Sequence, residues 1–599
     1  MTDRRTDRQT GELTGYPSID KPWLKYYLEK DINEPIPKNT VYQSVYENNR
    51  EYLEDIAINY YGNRICYKEL FNRVDECTRA LKKVGITRGD CVTLCTAGVP
   101  EAIYIVLACS RIGAIANFIN PLFDRTQMVD RINDTKGEWI FVLDEMYHYI
   151  ENILDRLCVN NIVIIPVTNS ISPIASKFLY LKSKARTIVN KNIYSKRIFL
   201  YNSFVKSGQQ YDGKLDEEYV DDAPIVMVYS SGTTGASKGI LLTNNSINAI
   251  LQHFKKDTIF GKRTETFLSM IPVWFSTGIV LSVIMPLAHG VCVIPEPVFS
   301  KESFAKDLLK YKPTLTLTAT SLWLYVAGAE ETKNIDLSNM IYPSTGGEKI
   351  SEKDERMLNS FLMEHGCKVR LQKGYGMCEL GSEVTGTTPS DGYVSKVGSV
   401  GYPILNCIVG AFDIETDLEL PYGKHGEIRA CTPARMKEYF NNTEATNEFF
   451  KTDHEGRVWG CTGDIGYVDE DGEVYILGRA TDSFRRENGE TVYLFDIEKE
   501  ILKDESVNQC KVIDISEGVK TKLVAHIVFE NREKANKDKI QEIASMLSDK
   551  LPDYMQPDYY KIRTSMPVHT NGKRDIEALR ADREDFIAKS ALLVPNWKM

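Results

Sequence analysis

The chain has 599 residues, of which 43% are hydrophobic and 26% charged, and its formal net charge is −10. That length predicts two to four domains, and an acidic balance with both signs interspersed speaks against nucleic acid or an anionic membrane as the main partner. Thirteen cysteines with neither a CxxC pair nor a Cys/His cluster exclude a zinc framework and fit free thiols in a reducing compartment.

Residues 1–40 read as an N-terminal extension that lies on the surface or is partly disordered. Its start, MTDRRTDRQTGELTG, has no apolar run and is no secretory leader. Residues 41–480 read as one large domain in which helices and strands alternate, the pattern of a parallel sheet flanked by helices. In ELFNRVDECTRALKKVG (69–85), Leu70, Val74, Cys77, Leu81 and Val84 fall on one helical stripe, and Gly85 supplies the stop. CVTLCT (91–96) and WIFVLD (139–144) read as buried strands. The most apolar window, AIYIVLACSRIGAIANFINPLF (102–123), is broken by Arg111 and Asn117. It falls short of the ~18 uninterrupted apolar residues of a membrane span, so it predicts a buried helix followed by a strand. A soluble, cytoplasmic protein with no integral membrane segment is expected.

Residues 165–222 are less regular and basic in their first part, with Lys177, Lys182, Lys184 and Arg186, which predicts a loop-rich excursion. GYVDEDGEVYILGR (466–479) alternates on both sides of Asp469-Glu470-Asp471-Gly472, which predicts a hairpin. After it the texture changes. QCKVIDI (509–515) and KLVAHIVFE (522–530) read as strands and KIQEIASMLSDKL (539–551) as an amphipathic helix, enough for a small α+β domain over residues 481–599.

Between the apolar runs PIVMVY (224–229) and GILLT (239–243) lies YSSGTTGASKG (229–239). Ser231 to Gly239 hold four hydroxyls, three glycines and one lysine. Glycine-rich backbone N–H groups, hydroxyls and an ammonium make a cradle for polyphosphate. The P-loop spacing is not met: counting from Gly232, Ser237 stands where the second glycine belongs, and Gly239 follows Lys238 in place of Ser or Thr. On composition alone a flexible Ser/Gly linker explains the segment equally well.

The segment resembles the signature loop of the adenylate-forming superfamily of acyl-CoA synthetases, nonribosomal adenylation domains and luciferases, with Ser237 in place of a proline. Further segments follow in that family's order, from CYKEL (66–70) to NGKRD (571–575). The resemblance implies an α/β fold: a large N-terminal domain with mixed or parallel sheets, flanking helices and a β-rich subdomain, then a small mobile α+β domain. It assigns Ser230, Ser231, Gly232, Thr233, Thr234, Gly235 and Lys238 to the β- and γ-phosphates of ATP. Gly346, Gly347 and Glu348 of STGGE (344–348) would lie beside adenine and the acyl pocket.

YGMCE (375–379) is similar to Y-G-x-T-E, so Tyr375 and Gly376 would face adenine and Glu379 would hold Mg²⁺ on the phosphates through a hard oxygen donor. Cys378 replaces the usual threonine, and a thiol is a weaker donor to the adenylate phosphate. Asp464 of TGDIG (462–466) and Arg479 of GRATD (478–482) would reach the ribose hydroxyls. Thr481 stands at the hinge position, where Asp or Lys is usual. The stretch from Arg485 to Val492 is one residue longer than the common pattern, with Gly489 at the glycine that a pantetheine arm passes and Arg485 near coenzyme A. LPDYMQP (551–557) matches a structural motif of the small domain. PVHTNGKRD (567–575) matches its catalytic segment, with His569-Thr570 for Thr-Pro and Lys573 as the catalytic cation between the carboxylate and the α-phosphate.

PVWFSTG (272–278), with Met377, would line the acyl pocket through Trp274, Phe275 and Gly278. Ser276 replaces the aspartate that pairs with an amino group in amino-acid-activating members, so an α-ammonium would be buried unpaired. The substrate expected is an apolar carboxylic acid, a fatty acid foremost. It would be activated as acyl-AMP with release of pyrophosphate and passed to coenzyme A. Two alternatives stay open: acyl loading onto a separate carrier protein, and a non-catalytic relative that only binds nucleotide, to which Cys378, Thr481 and the longer hinge stretch give weight.

Overall fold

A computed structural model of the chain describes residues 13–171, 196–230, 237–255, 263–387, 394–485, 491–517, 520–531, 533, 535–567 and 575–592. It divides into two compact units. The first comprises Met1–Lys424, Arg429–Thr462 and Tyr467–Tyr475, and the second His425–Ile428, Gly463–Gly466 and Ile476–Met599.

Two large sheets build the first unit. The seven-stranded sheet runs in the order Arg197–Leu200, Asn161–Ile165, Trp139–Leu143, Cys91–Cys95, Ile115–Phe118, Pro224–Tyr229, Gly239–Thr243. All neighbours are parallel except the last pair, an antiparallel hairpin whose register sets Tyr229 opposite Gly239. The short apolar runs CVTLC and WIFVL are buried at every residue, as strands covered on both faces must be. Helix Tyr67–Lys83 carries the predicted stripe inward, with Leu70, Val74, Cys77 and Leu81 wholly buried. It stops where Gly85 takes φ +89°, and Ile86 N–H closes back onto Leu81 O at 3.1 Å.

The nine-stranded sheet has a parallel centre. Gln372–Tyr375, Tyr342–Gly346, Leu315–Thr318, Thr266–Ser269, Cys292–Pro295 and Ile56–Tyr60 lie side by side, with antiparallel strands at both edges. The segments that leave Ser269, Gly346 and Tyr375 therefore emerge at one end of the sheet, the carboxyl end, where open α/β sheets bind ligands. Buried Leu268, Phe304, Trp323, Leu358 and Leu362 join strands to helices in this layer.

Two segments differ from the sequence reading. Residues 13–40 are seated in the first unit and do not merely lie on its surface. Trp23 is 1% exposed, Ser18 donates from N and Oγ to Glu419 at 2.8 and 2.6 Å, and Tyr26 stacks on Tyr402 at 4.5 Å. Single aromatic anchors in short turns leave no periodicity to read. In the excursion, residues 172–195 fall outside the described residues, but Arg197–Leu200 adds an edge strand to the seven-stranded sheet and Tyr201–Ser207 is a helix.

The second unit has a four-stranded sheet in the order Val507–Glu517, Lys520–Phe529, Tyr559–Arg563, Ile587–Ala588. Helices Leu494–Ile501 and Lys537–Lys550 cover it through Ile497, Ile501, Ile540, Ile543 and Leu547. Among the described residues no helix is long and apolar enough to cross a membrane, and all thirteen cysteines are free thiols.

Candidate functional site

The glycine-rich segment springs from the hairpin Pro224–Tyr229/Gly239–Thr243. Its neck is closed by three hydrogen bonds: Ser230 N–H donates to Lys238 O at 3.0 Å, Lys238 N–H to Ser230 Oγ at 3.0 Å, and Ser237 Oγ to Ser230 O at 2.9 Å. The Ser237 hydroxyl thus ties the end of the segment back to its start. Ser231, Gly232, Thr233, Thr234 and Gly235 lie outside the described residues. The Lys238 ammonium lies 4.8 Å from the centre of the Tyr439 ring.

At the carboxyl end of the nine-stranded sheet, Gly346 pairs in register with Gly374, and a Cβ on Gly346 would meet Gly374 O at 3.3 Å. The STGGE and KGYGMCE segments are therefore neighbours. Gly347 follows at φ +78° with open space around its missing Cβ, and the exposed Glu348 accepts from Ser321 N–H at 3.2 Å. Tyr375 ends its strand opposite Thr385. At Gly376 the chain passes so close to the next turn that a Cβ would stand 2.2 Å from Ser382 O. Met377 is extended, and Cys378–Leu380 form one tight turn that places Glu379.

Glu379 is buried, at 7% exposure, and its Oε1 accepts the Tyr439 hydroxyl at 2.9 Å. Burial, then the neighbouring Glu379 charge, pushes the Cys378 thiol up to about 11, so it stays protonated near neutrality. The same thiol lies against Ser276. A buried ion pair holds the strand beneath: Lys373 Nζ reaches Glu355 Oε1 at 2.6 Å, and Gly398 N–H donates to Glu355 Oε2 at 3.0 Å. Removing one partner of such a pair typically costs ~3–5 kcal/mol.

In PVWFSTG, Trp274 and Ser276 are buried and Phe275 is half-buried. Gly278 has a packing reason of its own, since a Cβ there would meet Pro272 O at 2.1 Å. The first unit thus brings together Lys238, Glu379, Cys378, Ser276 and the glycines of both sheet-end segments.

Asp464 and Arg479 belong to the second unit, where Arg479 Nε and Asp464 Oδ1 are 3.1 Å apart. Thr481 lies in the turn Ala480–Asp482, and Arg485 ends strand Ser483–Arg485 opposite Thr491. Asp482 is tied to the buried Lys511 at 2.7 Å. Gly489 and Lys573 lie outside the described residues.

Sequence reasoning missed Tyr439. Its segment, MKEYF (436–440), binds both halves of the first-unit site: Met436 N–H donates to Glu379 O at 2.8 Å, and Phe440 N–H to Gly239 O at 2.7 Å. No motif of charge or glycine marks it, and only the hydrogen bonds reveal it.

A family model described as "AMP-binding enzyme" matches residues 45–440. The chain is 25% identical to the long-chain-fatty-acid–CoA ligase of Bacillus subtilis (strain 168) over 566 residues, covering 92% of this chain and 96% of that one. It is also 25% identical to the 4-coumarate–CoA ligase of Vanilla planifolia, covering 86% of each chain. Among solved structures it is similar to the anthranilate CoA ligase AuaEII in complex with anthranoyl-AMP, with a TM-score of 0.74 and 20% identity over 92% of this chain and 98% of that one.

Proposed function

The chain belongs to the AMP-binding enzymes of the adenylate-forming superfamily, and from that premise we propose that it is an acid–thiol ligase. A carboxylate oxygen of an apolar acid attacks the α-phosphorus of ATP, and pyrophosphate leaves. The coenzyme A thiolate then attacks the acyl carbonyl of the adenylate, and AMP leaves, so one hard condensation is divided into two easier displacements. The observation that carries this reading is the convergence of Lys238 and Glu379 on Tyr439, beside the paired glycines of two neighbouring strands. An ammonium and a carboxylate so placed suit a polyphosphate with its cation.

Mg²⁺ fits Glu379 only in part. Among the described residues no three His, Cys, Asp or Glu side chains gather into a metal cage. A single hard oxygen donor suits an ion that arrives on phosphates and keeps most of its own waters. Bound there, the ion would neutralise phosphate charge. Lys238 would meet the outer phosphates, and Lys573 would bring acid and α-phosphate together in the first step and withdraw as the small domain turns about Thr481. Ser276 offers no countercharge to an amino group, which favours acids without one.

The relatives named as CoA ligases of a fatty and an aromatic acid support coenzyme A as acceptor. A panel of carboxylic acids scored by ATP–pyrophosphate exchange, with a second arm containing coenzyme A, tests the proposal. Exchange with an apolar acid and thioester formation are expected. Exchange without thioester would point to a carrier protein, and no exchange with any acid would end the catalytic reading.

Cys378 adds a narrower expectation. A threonine of nearly the same size restores a stronger hydrogen-bonding hydroxyl, so Cys378→Thr should keep or raise the rate of pyrophosphate exchange. A collapse of exchange would show that the thiol has a task of its own against Ser276.

A further inference from the structure

We propose that Tyr439 is a positioning residue that sets both the Glu379 carboxylate and the Lys238 ammonium before nucleotide arrives. The inference rests on the ATP-binding reading above and adds to it a residue outside the phosphate loop and the Glu379 turn.

Three features make Tyr439 a rigid support. It is 5% exposed. Its ring meets Phe449 edge-on at 6.0 Å, and its N–H donates to Thr446 Oγ1 at 3.0 Å. Its backbone is held on both sides. Residue 439 forms an antiparallel bridge with Ile240, Lys437 N–H donates to Leu241 O at 2.9 Å, and Leu241 N–H donates to Glu438 O at 3.2 Å. The strand that follows Lys238 and the turn that carries Glu379 are thus stitched to one five-residue strap.

The two polar contacts differ in kind, and that difference is the substance of the proposal. The hydroxyl donates to Glu379 Oε1 at 2.9 Å. A hydrogen bond to a buried carboxylate is among the stronger ones, so the carboxylate keeps one orientation. The ring face gives Lys238 a softer seat, 4.8 Å away. Among the described residues no carboxylate pairs with that ammonium, so a phosphate can draw it off the ring without breaking an ion pair. Tyr439 orients one group firmly and holds the other loosely.

Two variants separate the contacts. Tyr439→Phe keeps the ring and removes the hydroxyl, and Tyr439→Leu removes both. ATP binding is measured by calorimetry without Mg²⁺, followed by titration of Mg²⁺ into the ATP-loaded protein, with pyrophosphate exchange and unfolding temperature alongside. Tyr439→Phe should bind ATP alone like the parent but need about tenfold more Mg²⁺. Tyr439→Leu should show that defect and a several-fold weaker affinity for ATP alone. Parent-like Mg²⁺ titration of Tyr439→Phe would overturn the proposal, as would an equal loss of both affinities in both variants with a lowered unfolding temperature, the mark of a merely structural residue. If the parent protein itself fails to bind ATP, the function proposed above and this inference fall together.

Discussion

Replacing Lys573 by alanine is expected to slow adenylation by about a hundred- to a thousand-fold while leaving the conversion of preformed acyl-adenylate to thioester nearly intact. The expectation follows from what a single ammonium can do in the first step and not in the second. As a carboxylate approaches the α-phosphate, two anions are forced together. A cation placed between them lowers the energy of that encounter more than that of either anion apart, so its effect falls on the rate rather than on binding. The thioester step opens with acid and phosphate already joined as a mixed anhydride and needs no such bridge. Lys573 itself lies outside the described residues, but the ends of its segment are joined: Asp575 N–H donates to Pro567 O at 2.9 Å, and Asp575 Oδ1 caps the helix Ile576–Ala581 by accepting Ala578 N–H at 2.9 Å. The substitution changes neither of these anchoring residues, so the variant should fold like the parent. The test is two rates on one preparation, ATP–pyrophosphate exchange and thioester release from synthetic acyl-adenylate. Loss of both in equal measure would show that Lys573 serves the architecture of the small unit and not the first step.

The parts of this molecule that could be read in advance are those whose reason lies within a few residues. Helix Tyr67–Lys83 was legible because its stripe of Leu70, Val74, Cys77 and Leu81 repeats at the helical period, and Gly85 ends it in a conformation that other residues resist. The hairpin around Gly472 was legible for the same local reason: that glycine sits at φ +88°. The glycine-rich segment was open on composition alone, since a Ser/Gly linker has the same make-up, and only its resemblance to a family signature singled it out. What stayed hidden depends on partners far away in the chain. Tyr439 gains its meaning from Glu379, sixty residues earlier, and from Lys238, two hundred residues earlier. Trp23 is core only because the turn at Gly472 receives it, with a would-be Cβ 2.8 Å from Trp23 N. Lys373, next to a motif glycine, is buried because it pairs with Glu355, eighteen residues earlier. Pattern reports which side of an element is buried, and it is silent on what waits there.

The second large effect is expected at Gly376. Alanine there adds one methyl group, which would stand 2.2 Å from Ser382 O and 2.7 Å from Glu383 Cα. Both neighbours are backbone, so no side chain can swing aside. The clash can be relieved only by prising the Cys378–Leu380 turn away from the strand Gln372–Tyr375, which breaks the bonds that close it, Ser382 N–H to Met377 O at 3.0 Å and Val384 N–H to Tyr375 O at 2.8 Å. Overpacking of this kind costs ~1–3 kcal/mol in stability. Its functional cost should be larger than its thermal one, because Glu379 rides on that turn and a shift of about 1 Å in a positioned group is worth roughly a hundredfold in rate. Gly347 supplies the control. Nothing lies within 4 Å of its missing Cβ, and only φ +78° resists a side chain, so Gly347→Ala should lose ~1 kcal/mol of stability with a much smaller loss of pyrophosphate exchange. If Gly376→Ala keeps parental exchange and unfolds at the parental temperature, the turn has slack that these distances deny, and Glu379 is not held by the close approach of backbone to backbone at residue 376.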